Sequence, residues 1–98
     1  MAQVVLAERA RADLDRLFEF LAAEDPRAAS EAVAVILDAL DVLRRHPLVG
    51  RPAEEGLRDL VISRGKSGYV ALYDYDEDID TVLVLALRHQ REAGFPEL

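Results

Sequence analysis

Between Leu57 and His89 the chain alternates apolar segments with breakers, and no other stretch restricts the possible folds as much. Leu57-Arg58-Asp59-Leu60-Val61-Ile62-Ser63 is interrupted by Arg64-Gly65-Lys66-Ser67-Gly68, and Tyr69-Val70-Ala71-Leu72-Tyr73 is followed by the acidic run Asp74 to Asp80. Thr81-Val82-Leu83-Val84-Leu85-Ala86-Leu87 then leads into Arg88-His89-Gln90-Arg91. Segments of five to seven residues, rich in β-branched and aromatic side chains and separated by Gly and Asp, predict an antiparallel meander. Strand alternation puts Tyr69, Ala71, Tyr73 and Tyr75 on one face and Val70 and Leu72 on the other. Val82 to Leu87 does not alternate, which predicts a central strand covered on both faces.

The residues before the meander change period. Gln3 to Leu6 reads as a short first strand whose neighbours in the sheet are left open by its length. Ala10, Leu14, Leu17, Phe18 and Leu21 then recur at the spacing of one helix face, with Arg11, Asp13, Asp15, Arg16 and Glu19 on the wet side. This helix stops near Ala23, because Pro26 disfavours helical geometry in Asp25. Asp25 and Pro26 suit the N-cap and first position of a second helix, whose buried stripe is Ala29, Val33, Ile36, Leu37, Leu40 and Leu43. Arg44, Arg45 and His46 match its C-terminal dipole, Pro47 ends it, and Pro47 to Pro52 is loop. The prediction is a single α+β domain over residues 1–98: an N-terminal strand and an α-helical hairpin packed on an antiparallel β-sheet.

Composition removes several classes of function. The 51% hydrophobic and 32% charged content is that of a globular domain. No apolar run is long enough to span a bilayer and the start carries no basic leader, so a cytoplasmic protein with no membrane association is expected. Cysteine is absent, which excludes disulfides and thiolate metal sites. The net charge of −7 disfavours nucleic-acid binding. Its sign nevertheless reverses from Leu43 to Leu72, where Arg44, Arg45, Arg51, Arg58, Arg64 and Lys66 outnumber Glu54, Glu55 and Asp59.

The acid ladder Asp74, Asp76, Asp78, Asp80 starts like a calcium loop, but Ile79 and Leu85 stand where that loop needs Gly and Glu. It reads as a solvated turn. The serines lack a nucleophile-elbow context, and Gly65-Lys66-Ser67-Gly68 lacks the upstream glycine and following helix of a phosphate loop. What remains is a basic group formed by Arg58, Arg64, Lys66, Arg88, His89 and Arg91, suited to a phosphodiester, with His89 able to titrate near neutral pH. Surface arginines paired with Glu54, Glu55 or Asp59 satisfy the composition more simply.

Asp13-Leu14, Pro26-Arg27-Ala28-Ala29, Pro47-Leu48-Val49-Gly50-Arg51-Pro52, Leu57-Arg58-Asp59-Leu60-Val61-Ile62, Gly68-Tyr69-Val70-Ala71-Leu72-Tyr73 and Val84-Leu85-Ala86-Leu87-Arg88-His89-Gln90-Arg91 together resemble the RelE/ParE toxins of type II toxin–antitoxin systems. The resemblance runs through almost the whole chain in order. It implies a helical hairpin on an antiparallel sheet; the residues themselves give no reason to expect a cofactor or a metal. RelE-like members cut messenger RNA on the ribosome with a basic cluster on the sheet and often a C-terminal aromatic, a place Phe95 would take here. ParE-like members, known also as plasmid stabilisation proteins, poison DNA gyrase. The second strand here offers only Arg58 where the nuclease branch carries lysines, and Val70 stands where that branch has an arginine. The resemblance therefore implies a ParE-like toxin acting on gyrase and neutralised by a cognate antitoxin. Arg58, Arg88, His89 and Arg91 are its target-binding candidates, and Arg51, Arg58 and Arg88 its antitoxin-binding candidates. The alternatives are a ribosome-dependent endoribonuclease and a toxin fold that only binds its antitoxin.

Overall fold

The computed structural model describes residues 1–64, 67–92 and 94–95, with the backbone alone for Ser63, Arg64 and Ser67. Lys66, a member of the predicted basic group, lies outside the described residues, as does the side chain of Arg64. The elements run β1 (Gln3–Leu6), α1 (Glu8–Ala22), α2 (Pro26–Asp41), β2 (Arg51–Pro52), β3 (Arg58–Arg64), β4 (Ser67–Asp76) and β5 (Thr81–His89). A single 3-10 turn, Val42–Arg44, extends α2, so Arg44 ends that turn and Arg45 and His46 follow it.

The sheet has the order β1-β5-β4-β3-β2. β3 to β5 form the expected meander; Arg51–Pro52, in the stretch read as loop, instead adds the short strand β2 antiparallel to β3, while β1 lies parallel to β5 with Gln3 opposite Thr81 and Leu6 opposite Val84. A parallel neighbour needs a crossover, and the two helices supply it on one face of the sheet. The short run Gln3–Leu6 thereby gains a definite place, and the sheet is mixed.

Asp25 caps α2 by accepting the amides of Arg27 at 3.1 Å and Ala28 at 3.2 Å, with Pro26 in the first turn. Leu17, Ile36, Leu40 and Leu43 from the helical layer meet Ile62, Tyr69, Tyr73, Val82, Val84 and Leu87 of the sheet. Each such side chain contributes roughly 1.5–3 kcal/mol by leaving water. Three expectations change here. Phe18 (37% exposed) and Leu37 (43%) are not in the stripes, and Ala32 of α2 is in the core instead. Asp13, expected to be wet, is 4% exposed. β5 is covered on its far face only in part, with Ala86 buried there and Leu83 exposed. Leu72 pairs with Ala86 but Tyr73 with Val84, so Leu85 is the extra residue of a bulge. The bulge turns both Val84 and Leu87 toward the helices and breaks the alternation, while Leu83 stays exposed on the far face.

Asp13 has a structural task. β1 accompanies β5 only as far as Val84, after which Ala7 donates its amide to the Val84 carbonyl at 2.9 Å and α1 begins. Beyond that point β5 has no strand on this side. The Asp13 carboxylate takes the vacant place and accepts the Leu87 amide at 2.9 Å. Arg9, 3.2 Å away, and Arg16, 3.8 Å away, balance its charge.

At the other edge, Tyr73 and Arg58 hold the loop before β2. The Tyr73 hydroxyl donates to the Pro47 carbonyl at 2.8 Å and accepts the Gly50 amide at 2.9 Å. Arg58 Nη1 donates to the Leu48 carbonyl at 3.1 Å and the Gly50 carbonyl at 2.9 Å. Burial pushes the Tyr73 phenol above its ordinary range, against the smaller opposing pull of the Gly50 amide and Arg58. A phenol raised in the folded state contributes stability that is complete below the unfolded tyrosine value. It is lost as pH rises from about 10 through the folded value. Tyr73→Phe is therefore expected to cost about 1–2 kcal/mol at neutral pH and to flatten alkaline denaturation relative to the parent, measured by urea titration at stepped pH.

Candidate functional site

β5 leaves the sheet as Arg88-His89, and cross-strand pairing sends these neighbours to opposite faces. His89 pairs with Tyr69 and packs edge-on against its ring, with centroids 5.4 Å apart and planes at 87°. Both are on the helix side. Arg88 pairs with Val70, and beyond Val70 lies Val61, on the face that the helices leave open. Arg58 belongs to neither place. It pairs with Tyr73, whose partner on β5 is Val84, so strand and sheet spacings put it roughly 15 Å from Arg88 and on the helix side. The structure thus brings His89 and Arg91 together, places Arg88 behind them across the sheet, and assigns Arg58 to the loop described above. Arg51 is exposed on the edge strand β2, opposite Asp59.

On the helix side, α1 and the end of β5 enclose a groove of about 600 Å³. Leu17, Leu21 and Tyr69 form its floor, and Phe20, 78% exposed, stands on its wall. Arg16, His89, Arg91 and Glu92 complete the lining. His89 Nδ1 accepts the Arg91 amide at 3.1 Å, which leaves the ring's Nε2 as the edge facing away from that turn. Glu92 accepts the His89 amide at 2.9 Å and lies 3.2 Å from Arg16. An apolar floor with cations on its rim suits an apolar side chain flanked by negative charge.

On the open face, Arg88 is held by its own chain. Its Nη1 donates to the carbonyls of His89 at 3.2 Å, Gln90 at 3.3 Å and Glu92 at 3.1 Å. Phe95 lies 5.1 Å from the guanidinium carbon, a cation–π distance. Arg88 Nε and Asp59 Oδ1 are buried without a hydrogen-bond partner among the described residues. The apolar residues around them are Val61, Val70 and Leu72, with Leu83 and Val5 further toward β1.

The acidic turn between β4 and β5 remains a turn. Asp76 accepts the Asp78 amide at 3.0 Å, and Asp80 accepts the Tyr75 hydroxyl at 2.7 Å, which raises the Tyr75 phenol. Among the described residues there is no group of His, Asp and Glu arranged to hold a metal, and no helix is long and apolar enough to cross a membrane.

Sequence reasoning missed Asp13, Arg16, Phe20 and Glu92. For Asp13 the signal was available: Ala10, Asp13 and Leu17 stand at i, i+3 and i+7, so an acid lies within the apolar stripe. Phe20 and Glu92 meet only through the fold and leave no periodic trace.

The profile of the family described as ParE toxin of type II toxin-antitoxin system, parDE, matches residues 4–94. Toxin RelE3 of Caulobacter vibrioides is 36% identical over 92 residues, covering 94% of this chain and 98% of that protein. Toxin RelE1 of the same organism is 37% identical over 70 residues, covering 71% and 75%. The fold is similar to that in the chromosomal ParDE toxin–antitoxin system from P. aeruginosa, with a TM-score of 0.74, 24% identity and coverage of 89% and 94%. It is also similar to the toxin–antitoxin complex RelBE2 from Mycobacterium tuberculosis, with a TM-score of 0.60, 32% identity and coverage of 91% and 98%. The match extends from β1 past the end of β5 and the helical hairpin packs on the same kind of sheet, so the chain belongs to the ParE family of the RelE/ParE superfamily, the toxins of type II toxin–antitoxin systems.

Proposed function

We propose that this toxin acts on DNA gyrase by binding it, rather than on messenger RNA by cutting it, and that a cognate antitoxin neutralises it in the cytoplasm. The observation that carries the choice is the setting of Arg88. A ribonuclease centre needs several cations converging on one phosphate, to hold it and to stabilise charge as the bond breaks. Across the strands from Arg88 stand Val70 and Val61, with Asp59 next on the same face of β3, and Nη1 is engaged by three carbonyls. His89 and Arg91 point to the other side, so they do not join Arg88 around one phosphate. A largely apolar face, with Arg88 anchored by its own turn and Arg51 apart from it at the far edge opposite Asp59, suits a protein surface better than RNA.

The experiment is induction of the protein without its antitoxin, scored for growth, DNA-damage response and message cleavage. Growth arrest with DNA damage and intact message is expected. Arg88→Ala is expected to relieve the arrest, whereas Arg58→Ala, which loosens the loop at the far end, is expected to act through stability. Cleaved message with an undisturbed damage response would replace the gyrase reading with the ribosomal one, and harmless induction of folded protein would leave only antitoxin binding.

The antitoxin contact is best placed in the groove beside Phe20. The chain is acidic overall, with a charge of −7, yet this groove is rimmed by Arg16, His89 and Arg91. Acidic residues flanking an apolar anchor complement it. Arg51, exposed on β2, offers a second point for a carboxylate at the opposite edge. Phe20→Asp is expected to weaken antitoxin binding by about 100-fold, the range of a buried aromatic anchor, with little change in thermal stability, as measured by calorimetric titration.

A further inference from the structure

The groove and the Arg88 face lie on opposite sides of the sheet, and Glu92 is bonded to both. Its carboxylate accepts the His89 amide at 2.9 Å and pairs with Arg16 of α1 at 3.2 Å. Its carbonyl accepts Arg88 Nη1 at 3.1 Å. The other two acceptors of that nitrogen, the carbonyls of His89 and Gln90, belong to the same short segment. Arg16 also approaches Asp13, whose second oxygen holds the Leu87 amide one residue before Arg88. Phe95, beyond Glu92 on the same segment, covers the guanidinium.

We propose that Glu92 is the positioning residue for Arg88. Its carboxylate closes the turn after β5 by joining α1 to the His89 amide, and the closed turn presents three carbonyls that fix one rotamer of an otherwise flexible side chain. The direction of the guanidinium on the open face is thereby set from the helix side of the sheet. Whatever draws Arg16 away from Glu92 at the groove loosens Arg88 behind it. A partner carboxylate docked beside Phe20 is placed to do this, since it competes for the same arginine. The functional consequence rests on the reading that the Arg88 face engages the target. The geometric one does not.

The test uses the full chain with labelled arginine side chains, following the Arg88 Nε–H resonance identified by its absence in Arg88→Lys. Glu92→Ala, and Arg16→Ala as a mimic of a competing partner, are expected to shift or broaden that resonance. Both are also expected to weaken gyrase inhibition by about ten-fold, the size of one charge-assisted contact. Glu92→Gln keeps an oxygen that accepts both N–H groups, so the resonance is expected to stay in place with potency close to the parent. Circular dichroism of each variant separates a local change from unfolding. An unmoved resonance in folded Glu92→Ala, or Glu92→Gln behaving like Glu92→Ala, overturns the proposal. A parent protein that does not inhibit gyrase, combined with a resonance that does move, overturns the gyrase reading and leaves Glu92 as the residue that holds Arg88.

Discussion

Asp13→Ala is expected to lower the stability of the fold by about 2–4 kcal/mol, the cost of leaving a buried donor unmatched and two arginines without their shared partner. Asp13 is 4% exposed, and its carboxylate accepts the Leu87 amide at 2.9 Å and lies within 4 Å of both Arg9 and Arg16. For a domain of this size the loss corresponds to a fall in melting temperature on the order of 10–20 °C. Urea unfolding with an unchanged slope checks that the folded state is destabilised and not expanded. Asp13→Asn keeps an oxygen for Leu87 and removes the charge, so it is expected to lose less. If the Ala and Asn variants were equally stable, the amide bond would not be the reason for the buried acid.

Gly50→Ala is expected to cost about 2–3 kcal/mol, the range of overpacking where neighbours cannot withdraw. An added Cβ would sit 2.7 Å from Tyr73 Cε1 and from its hydroxyl, and 2.8 Å from the Asp59 carbonyl. One of these is main chain of β3 and the others belong to a fully buried ring. Relief requires moving the loop, which breaks the bonds that Tyr73 and Arg58 make to Pro47, Leu48 and Gly50. Because Tyr73→Phe removes the hydroxyl that the methyl strikes, the double variant Gly50→Ala/Tyr73→Phe is expected to lose less than the sum of the two. Strict additivity would show that the loop is not held by this hydroxyl.

The elements themselves were legible because each has a local cause. Asp25 and Pro26 start α2 where capping chemistry places them, and the three meander strands coincide with the three apolar segments. The parallel seat of β1 was not legible, since a four-residue apolar run fits beside several strands and only the crossover through the helices selects β5. Val82 to Leu87 misled for a different reason. A bulge at Leu85 and burial on both faces produce the same unbroken apolar string. At the site, Arg88, His89 and Arg91 are adjacent in sequence, but strand geometry sends Arg88 away from the other two. Arg58 stood out by type, and the carbonyls it serves belong to a loop that sequence spacing does not bring near it.

The central claim, that this ParE-family chain stops gyrase through the face presenting Arg88, is tested most directly by a supercoiling assay with purified toxin, gyrase and relaxed plasmid. Supercoiling is expected to fall with toxin concentration, to recover when the cognate antitoxin is added, and to be far less affected by folded Arg88→Ala. Undiminished supercoiling at every toxin concentration, alongside cleavage of message on translating ribosomes, would contradict it.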